Sequence, residues 1–296
     1  MKAFLTGASG FVGTWLTAHL EDCGDEVVAL EEQVDIGDAG AVAAALEAAD
    51  ADIVYHLAAL AHVGDSWIAP DKTLTVNVLG TLSLLEAART ATRPPRVLLV
   101  SSAEVYGAGA SEPYDESSPL RPVSPYAASK VAAEFLGVQA FLGRGLEVVI
   151  ARPFNHVGPG QSANFVVSAL GQRVAEAERT GGEVRVGNLA AARDFTDVRD
   201  VVRAYRLLGL DGLAGEVYNV SSGRTVVIAD VLARLVAAAK GEIVTVEDPA
   251  LFRPVDVPVL GGDSSKLRAA TAWAPTIALD DTLTDVLNDW RARLAD

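Results

Sequence analysis

A chain of 296 residues, half of them apolar, is long enough for about two domains or one large α/β unit with a sizeable core. Its 24 Lys and Arg against 39 Asp and Glu leave a formal net charge of −15. With no block of cations, that balance excludes a nucleic-acid binder or an anionic-membrane protein, because phosphate polymers and acidic headgroups are held by clustered Lys and Arg. The single cysteine, Cys23, can form neither an intrachain disulfide nor a thiolate zinc cluster. The opening Met-Lys-Ala-Phe-Leu-Thr-Gly lacks an apolar leader core, and no apolar run nears the ~18 to 20 residues of a membrane span. The expectation is a cytoplasmic protein without nucleic-acid or membrane partners.

Short β-rich apolar runs recur at 3–6, 26–30, 53–57, 97–101 and 147–151, and stretches with helical spacing fill 13–22, 39–49, 73–90 and 125–142 between them. Strands alternating with helices predict βαβ units and a parallel sheet. Past Arg152 the rhythm loosens through Pro153 and the Gly158-Pro159-Gly160 turn. Helices are predicted over 164–180, ended by Gly181-Gly182, and over 198–210, 228–240 and 279–294, while Pro249, Pro254 and Pro258 mark a surface loop. The predicted fold is α/β: a doubly wound parallel Rossmann sheet from residues 1–153 with about 198–220, and a smaller C-terminal lobe from 154–197 and 221–296.

Thr6-Gly7-Ala8-Ser9-Gly10-Phe11-Val12-Gly13 follows the first strand and opens the first helix. Glycines there let the backbone bend tightly and approach a pyrophosphate at a helix N-terminus, so Gly7, Ser9, Gly10, Phe11, Val12 and Gly13 are candidate dinucleotide contacts. An acid about 20 residues on would take the adenosine ribose. Glu31 stands 18 residues after Gly13, with Glu32 the alternative. A carboxylate there repels a 2′-phosphate and favours NAD(H) over NADP(H). Asp35 and Ile36 follow after an unusually short connection and fall near the adenine.

The run Val97-Leu98-Leu99-Val100 ends in Ser101-Ser102 at the carboxyl end of a strand, where open parallel sheets face their ligand crevice. Downstream, Ser124-Pro125 opens a helix that puts Tyr126 and Lys130, four apart, on one face. A nearby ammonium favours a phenolate, so Lys130 is expected to lower the Tyr126 pKa and make it a proton donor or acceptor near neutrality. Ser102 would hydrogen-bond the reacting oxygen. Tyr-x-x-x-Lys alone is common by chance; its weight comes from the glycine turn and from a Ser 24 residues before the Tyr.

These pieces resemble the extended short-chain dehydrogenase/reductases that act on nucleotide sugars. The matching segments are Thr6 to Gly13, His56-Leu57-Ala58-Ala59, Asn77-Val78-Leu79-Gly80-Thr81, Ser102-Ala103-Glu104-Val105-Tyr106-Gly107, Tyr126 with Lys130, and Arg152-Pro153-Phe154-Asn155. The resemblance implies Ser102, Tyr126 and Lys130 as the catalytic set and adds Leu57, Ala58, Ala59, Asn77 and Pro153, with Tyr126 and Lys130, to the cofactor contacts. In the second half, Phe154 to Gln161, Val186 to Leu189, Arg193 to Asp200, Glu216 to Val220 and the segment 253–258 resemble the members that reduce GDP-4-keto-6-deoxymannose. That likeness implies that Asn155, Arg193 and Arg253 meet the substrate diphosphate and nucleotide and that Asp256 takes its ribose; Glu104, which similar reductases also keep, either satisfies local hydrogen bonds or moves a proton at the substrate. Two arginines can fork onto phosphate oxygens, although in an acidic chain they can equally be surface ion pairs.

The expected activity is hydride transfer from NAD(P)H to C4 of a nucleotide-diphospho-sugar. A 4-epimerase with bound NAD, a 4,6-dehydratase and a non-catalytic dinucleotide sensor remain as alternatives. A homodimer through the helices at 73–90 and 125–142 is implied by the resemblance. His19, His56, His62 and His156 lack metal-ligand spacing, so no metal is expected.

Overall fold

The computed structural model describes residues 1–109, 113–251 and 257–295. The first half alternates strand and helix: β1 (Lys2–Thr6), α1 (Phe11–Asp22), β2 (Glu26–Ala29), α2 (Ala39–Ala49), β3 (Ile53–His56), α3 (Val63–Ile68), α4 (Pro70–Leu74), α5 (Gly80–Thr90), β4 (Arg96–Val100), α6 (Pro125–Arg144) and β5 (Val148–Pro153). The second adds β6 (Asn155–Val157), α7 (Val166–Thr180), β7 (Glu183–Val186), β8 (Ala192–Asp197), α8 (Val198–Asp211), β9 (Val217–Val220), β10 (Thr225–Val227), α9 (Ile228–Ala237), β11 (Val244–Glu247), β12 (Val259–Leu260), α10 (Ser265–Thr271) and α11 (Leu279–Arg293).

Six strands pair in parallel in the order β2-β1-β3-β4-β5-β9, and helices cover both faces. Strand side chains alternate between two cores, which is why these strands read as nearly continuous apolar runs. Leu5, Tyr55, Leu98 and Val149 meet Leu16 and Leu20 of α1 and Val201 and Leu208 of α8. Phe4, Val54, Leu99 and Ile150 meet Val42 and Leu46 of α2, Leu84 and Leu85 of α5 and Ala140 of α6. β2 lies at the sheet edge, and β1 lies between it and β3. The chain goes to one side of β1 and then to the other, and at such a switch point a crevice opens beyond the carboxyl ends of the strands.

The predicted helix over 73–90 is interrupted. Residues Thr75–Leu79 form a π turn that brings Asn77 inward to 1% exposure. Its Oδ1 accepts from the Leu60 amide at 2.8 Å, and its Nδ2 donates to the Leu60 carbonyl at 3.2 Å and Ser129 Oγ at 2.9 Å. Helical spacing alone does not reveal a bulge whose purpose is one buried amide.

A second set of strands centres on β8, which pairs with β6 and β12 in parallel and with β10 antiparallel. Apolar faces of α7, α9 and α11 pack together beside it, among them Leu170, Val174, Leu235, Val286 and Leu287. These strands have two to six residues each, and β8, Ala-Arg-Asp-Phe-Thr-Asp, is buried throughout despite its polarity, which hid it in the sequence. From β8 the chain passes straight into α8, against the large sheet, and returns to that sheet as β9.

Three buried carboxylates brace this crossing. Asp194 accepts from the Ser222 and Gly223 amides, each at 2.8 Å. Asp197 caps α8 and accepts from Thr282 Oγ1 of α11 at 2.7 Å. Asp200, 1% exposed, accepts from the Thr276 and Ile277 amides at 2.8 and 2.9 Å and pairs with Arg203 at 2.8 Å. Among the described residues, no helix is long and apolar enough to cross a membrane. Asp200→Ala leaves those amides and the Arg203 charge without their acceptor, so urea denaturation should show a loss of about 3 kcal/mol; a change below about 1 kcal/mol would contradict this bracing role.

Candidate active site

The turn between β1 and α1 can be built only with glycine. Gly7 has φ +74°, and a Cβ on it would lie 2.8 Å from the Ala58 amide nitrogen; one on Gly13 would lie 2.1 Å from the Gly7 carbonyl oxygen. Gly10 caps α1, whose first amides lack helical partners and face the crevice above β1 and β3. Ser9 and Gly10 are exposed, Phe11 and Val12 half-buried, and Val12, Leu57, Ala59 and Pro153 line the cleft described below. This open cradle of amides fits a dinucleotide diphosphate.

A polarised hydrogen-bond chain holds the turn. Thr81 Oγ1 donates to the Asn77 carbonyl at 2.7 Å and therefore accepts from His56 Nε2 at 2.9 Å. His56 Nδ1 is then an acceptor for Thr6 Oγ1 at 2.7 Å, and Thr6 Oγ1 itself accepts from the Ala58 amide at 3.2 Å. Burial, with the Lys130 charge, pushes His56 down to about 3, so the ring stays neutral and structural. Asn77 lies beneath the cleft with its amide fully engaged by protein groups, and Ile36 is a core residue packed against Gly80. Glu31 is exposed and accepts from Gln33 Nε2, and Asp35 accepts from the Gly37 amide at 2.8 Å.

Ser124 caps α6 through the Ala127 amide at 3.1 Å, and Pro125 occupies the first turn. The helix thereby starts where Tyr126 and Lys130 face the end of β4. Lys130 Nζ donates to the Val100 carbonyl at 2.9 Å. Ser102 Oγ accepts from the Glu104 amide at 3.2 Å, capping the 3-10 turn Ala103–Tyr106, and Tyr126 is within hydrogen-bonding reach of Ser102.

All three candidate catalytic residues line one cleft of about 410 Å³ between the large sheet and the second lobe. Glu104, Asn155 and Arg193 line it too. Arg193 is only 9% exposed, and its Nη1 donates to the Ala192 carbonyl at 2.9 Å, so it forms part of the cleft wall. Arg253 and Asp256 lie outside the described residues.

One electrostatic expectation is overturned. Burial raises the Tyr126 phenol to about 12, Ser102 opposing and the Glu104 charge adding to the rise. Lys130 does not lower it, since desolvation dominates and the ammonium is drawn to Val100. Lys130 itself is pushed down to about 8 by burial, with Glu134 opposing.

The cleft also holds groups beyond those predicted from the sequence. His156 stacks on Phe11 with ring centroids 6.2 Å apart, and burial keeps it neutral. Arg173 of α7 and Gln161 reach the same wall, joined only by the tertiary fold. Tyr205 of α8 is fully buried at the cleft, and its hydroxyl lacks a hydrogen-bond partner among the described residues. Among the described residues, no three His, Cys, Asp or Glu side chains converge as a metal site.

The Lys130 shift has a stability consequence. Its folded value lies below the unfolded one, so the unfolded chain holds the proton to higher pH and the burial penalty is complete below about pH 8. The penalty fades as pH rises toward the unfolded value near 10.4. Lys130→Met should therefore raise the unfolding free energy by about 2 kcal/mol at pH 7 and by much less at pH 10. Urea denaturation at both values checks this, and equal gains at the two pH values would refute it.

Comparison with known proteins extends the geometry. A family model described as GDP-mannose 4,6 dehydratase matches residues 29–286. The GDP-6-deoxy-D-mannose reductase of Pseudomonas aeruginosa is 36% identical across 99% of this chain and 98% of its own length. A solved structure of RMD from Pseudomonas aeruginosa complexed with NADPH superimposes with a TM-score of 0.92 at 34% identity, covering 99% of this chain and 100% of that one. UDP-glucose 4-epimerase from Thermus thermophilus in complex with NAD gives 0.88 at 28% identity, over 98% of this chain and 99% of that one. With a family model over most of its length and a relative matched nearly end to end, the chain belongs to the GDP-mannose 4,6 dehydratase family of extended short-chain dehydrogenase/reductases.

Proposed function

We propose that this protein is an NAD(P)H-dependent reductase that converts a GDP-4-keto-6-deoxyhexose to a GDP-6-deoxyhexose. The observation that carries the reading is the placement of Tyr126 beside Ser102 and one helical turn from Lys130, in a cleft that runs from the glycine turn to Arg193. The similarity to the Pseudomonas aeruginosa reductase, stronger than that to a GDP-mannose 4,6-dehydratase of Vibrio cholerae at 27% identity, supports this reaction over dehydration.

A reduced nicotinamide held by the glycine turn would supply the hydride for C4 of the keto sugar. As charge develops on the former carbonyl oxygen, Tyr126 donates its proton to it. Ser102 hydrogen-bonds the same oxygen; the Glu104 amide occupies an acceptor site on Ser102 Oγ, leaving its hydroxyl hydrogen to donate. A phenol pushed up to about 12 carries its proton at neutral pH, the form a donor needs. Lys130 holds the nicotinamide ribose.

Gly7, Ser9, Gly10, Phe11, Val12 and Gly13 take the dinucleotide diphosphate, Glu31 the adenosine ribose, and Asp35 and Ile36 the adenine edge. Leu57, Ala58, Ala59 and Pro153 enclose the rest, and Asn77 holds the loop that carries them. The lobe of residues 154–197 and 221–296 receives the sugar nucleotide through Asn155, Arg193, Arg253 and Asp256, with Glu104 at the sugar. The exposed Glu31 carboxylate favours NADH over NADPH. A reaction that draws on NAD(P)H and a free sugar nucleotide belongs in the cytoplasm.

Oxidation of NADH or NADPH by a GDP-linked 4-keto-6-deoxy sugar tests the reading. One cofactor consumed per sugar reduced is expected, with kcat/KM higher for NADH; sugar interconversion without net oxidation would replace the reading with an epimerase. Tyr126→Phe should lower kcat by about 10²-fold or more while leaving cofactor affinity within about twofold, and near-normal turnover would remove Tyr126 from the mechanism.

The same reading includes a homodimer through α5 and α6. Leu79 precedes α5 and Leu82 lies on it, while Phe135 and Leu142 lie on α6; they are exposed to 53%, 38%, 62% and 76%, a group of apolar side chains suited to a second copy of the chain. Light scattering should give a dimer for the wild type and a monomer for Phe135→Asp with Leu142→Asp. A wild-type monomer at micromolar concentration would overturn the assignment.

A further inference from the structure

One turn beyond Lys130 on α6, Glu134 meets Arg152, the penultimate residue of β5, in a buried two-pronged ion pair. The side chains are 4% and 5% exposed, with Nη2 to Oε2 at 2.7 Å and Nε to Oε1 at 2.8 Å. Ser101 Oγ donates to Glu134 Oε1 at 2.5 Å. On its other side Arg152 Nη1 donates to Tyr106 Oη at 2.9 Å, and Tyr106 Oη donates to Asn219 Oδ1 of β9 at 2.7 Å. The Asn219 amide group goes on to the Tyr114 and Asp263 carbonyls at 3.0 and 3.2 Å.

The pair thus reaches the elements that present all three candidate catalytic side chains. Ser101 sits between Val100, whose carbonyl holds Lys130 Nζ, and Ser102. The end of β4 is therefore gripped by α6 at two places, through Lys130 on Val100 and through Glu134 on Ser101. Tyr106 closes the 3-10 turn that Ser102 caps. Replacing a buried ion pair by apolar side chains of similar volume is often neutral or stabilising, so stability alone gives little reason for this one.

Charge supplies a reason. Lys130 is a buried ammonium. His56 of β3 is neutral, and so are the phenols of Tyr126 on its own helix and Tyr205 on α8. Glu104, on the 3-10 turn, acts on Tyr126. The Arg152 cation is offset by Glu134, and Glu134 is the carboxylate that acts on Lys130.

We propose that the Glu134–Arg152 pair is the positioning unit of the site, holding Ser102 and Lys130 in register across three strands and α6. Glu134 and Arg152 act through their neighbours rather than on substrate. The proposal rests on the role given to Lys130 above, but its test has a readout that needs no turnover.

The chain has five lysines, so labelling lysine at Cε gives a small set of NMR signals, and Lys130→Met identifies the one sought. Glu134→Gln removes the counter-charge and leaves Arg152 an unpaired cation. The Lys130 midpoint should fall by about one pH unit or more, and the alkaline limb of kcat should move with it, while the KM for the sugar nucleotide stays within about twofold. Glu134→Asp keeps the charge and should return the midpoint toward the wild-type value. Should Glu134→Gln fail to fold, Glu134→Gln with Arg152→Met removes both charges, and a midpoint still below wild type supports the proposal. Folded variants whose Lys130 titrates as in the wild type would overturn it. If the wild type reduces no sugar nucleotide while the midpoint still moves, the reductase reading fails and the positioning unit stands.

Discussion

Lys130 donates to the carbonyl of Val100 at 2.9 Å, an ammonium 7% exposed at the carboxyl end of a parallel sheet, and much of the surrounding structure is arranged around that bond. A buried charge is costly unless it is hydrogen-bonded and balanced. The carbonyl at the end of β4 provides the bond, because parallel strands leave polar backbone groups there that the next residue need not cover. Glu134 provides opposite charge from the next turn of the same helix. The spacing of Tyr126, Lys130 and Glu134 at four-residue intervals is therefore one device: a single helix face carries a phenol into the cleft, an ammonium to the strand end and a carboxylate into the core.

The same burial separates the roles of the two titrating groups. Desolvation disfavours the charged form of each, so it raises the phenol and lowers the ammonium. Tyr126 is left protonated at neutral pH and Lys130 still largely charged, a combination suited to delivering a proton to a developing alkoxide. A single cause, removal from water, thus sets both protonation states.

A net charge of −15 sits uneasily with two diphosphate ligands, and the structure resolves this locally. Acidic side chains are spread over the surface or used up as internal acceptors, as Asp194, Asp197 and Asp200 are. The cleft instead presents the amides of the glycine turn on one side and Arg193, with Arg173, on the other. Net charge describes the long-range field, whereas binding depends on the few groups within hydrogen-bonding distance.

Local constraints were legible in the sequence. Alternating strands and helices, the glycine turn, the cap and proline opening α6, and the Tyr126–Lys130 spacing each follow from chain geometry over a few residues, and the structure places the strands within one or two residues of their predicted positions. Non-local arrangements were not. The π turn at Asn77 exists to satisfy the 60 and 129 regions, β8 is held by strands from three distant segments, and His156 and Tyr205 reach the cleft only when the second half folds back. The Tyr126 pKa was misjudged for the same reason: spacing shows that an ammonium lies one turn away, but the depth of burial, which outweighs it, belongs to the packed molecule. Sequence alone determined which chemistry the chain carries, because those groups lie on single elements; tertiary structure decided their protonation and their company, because desolvation and long-range hydrogen bonds arise only when separate elements close over one another.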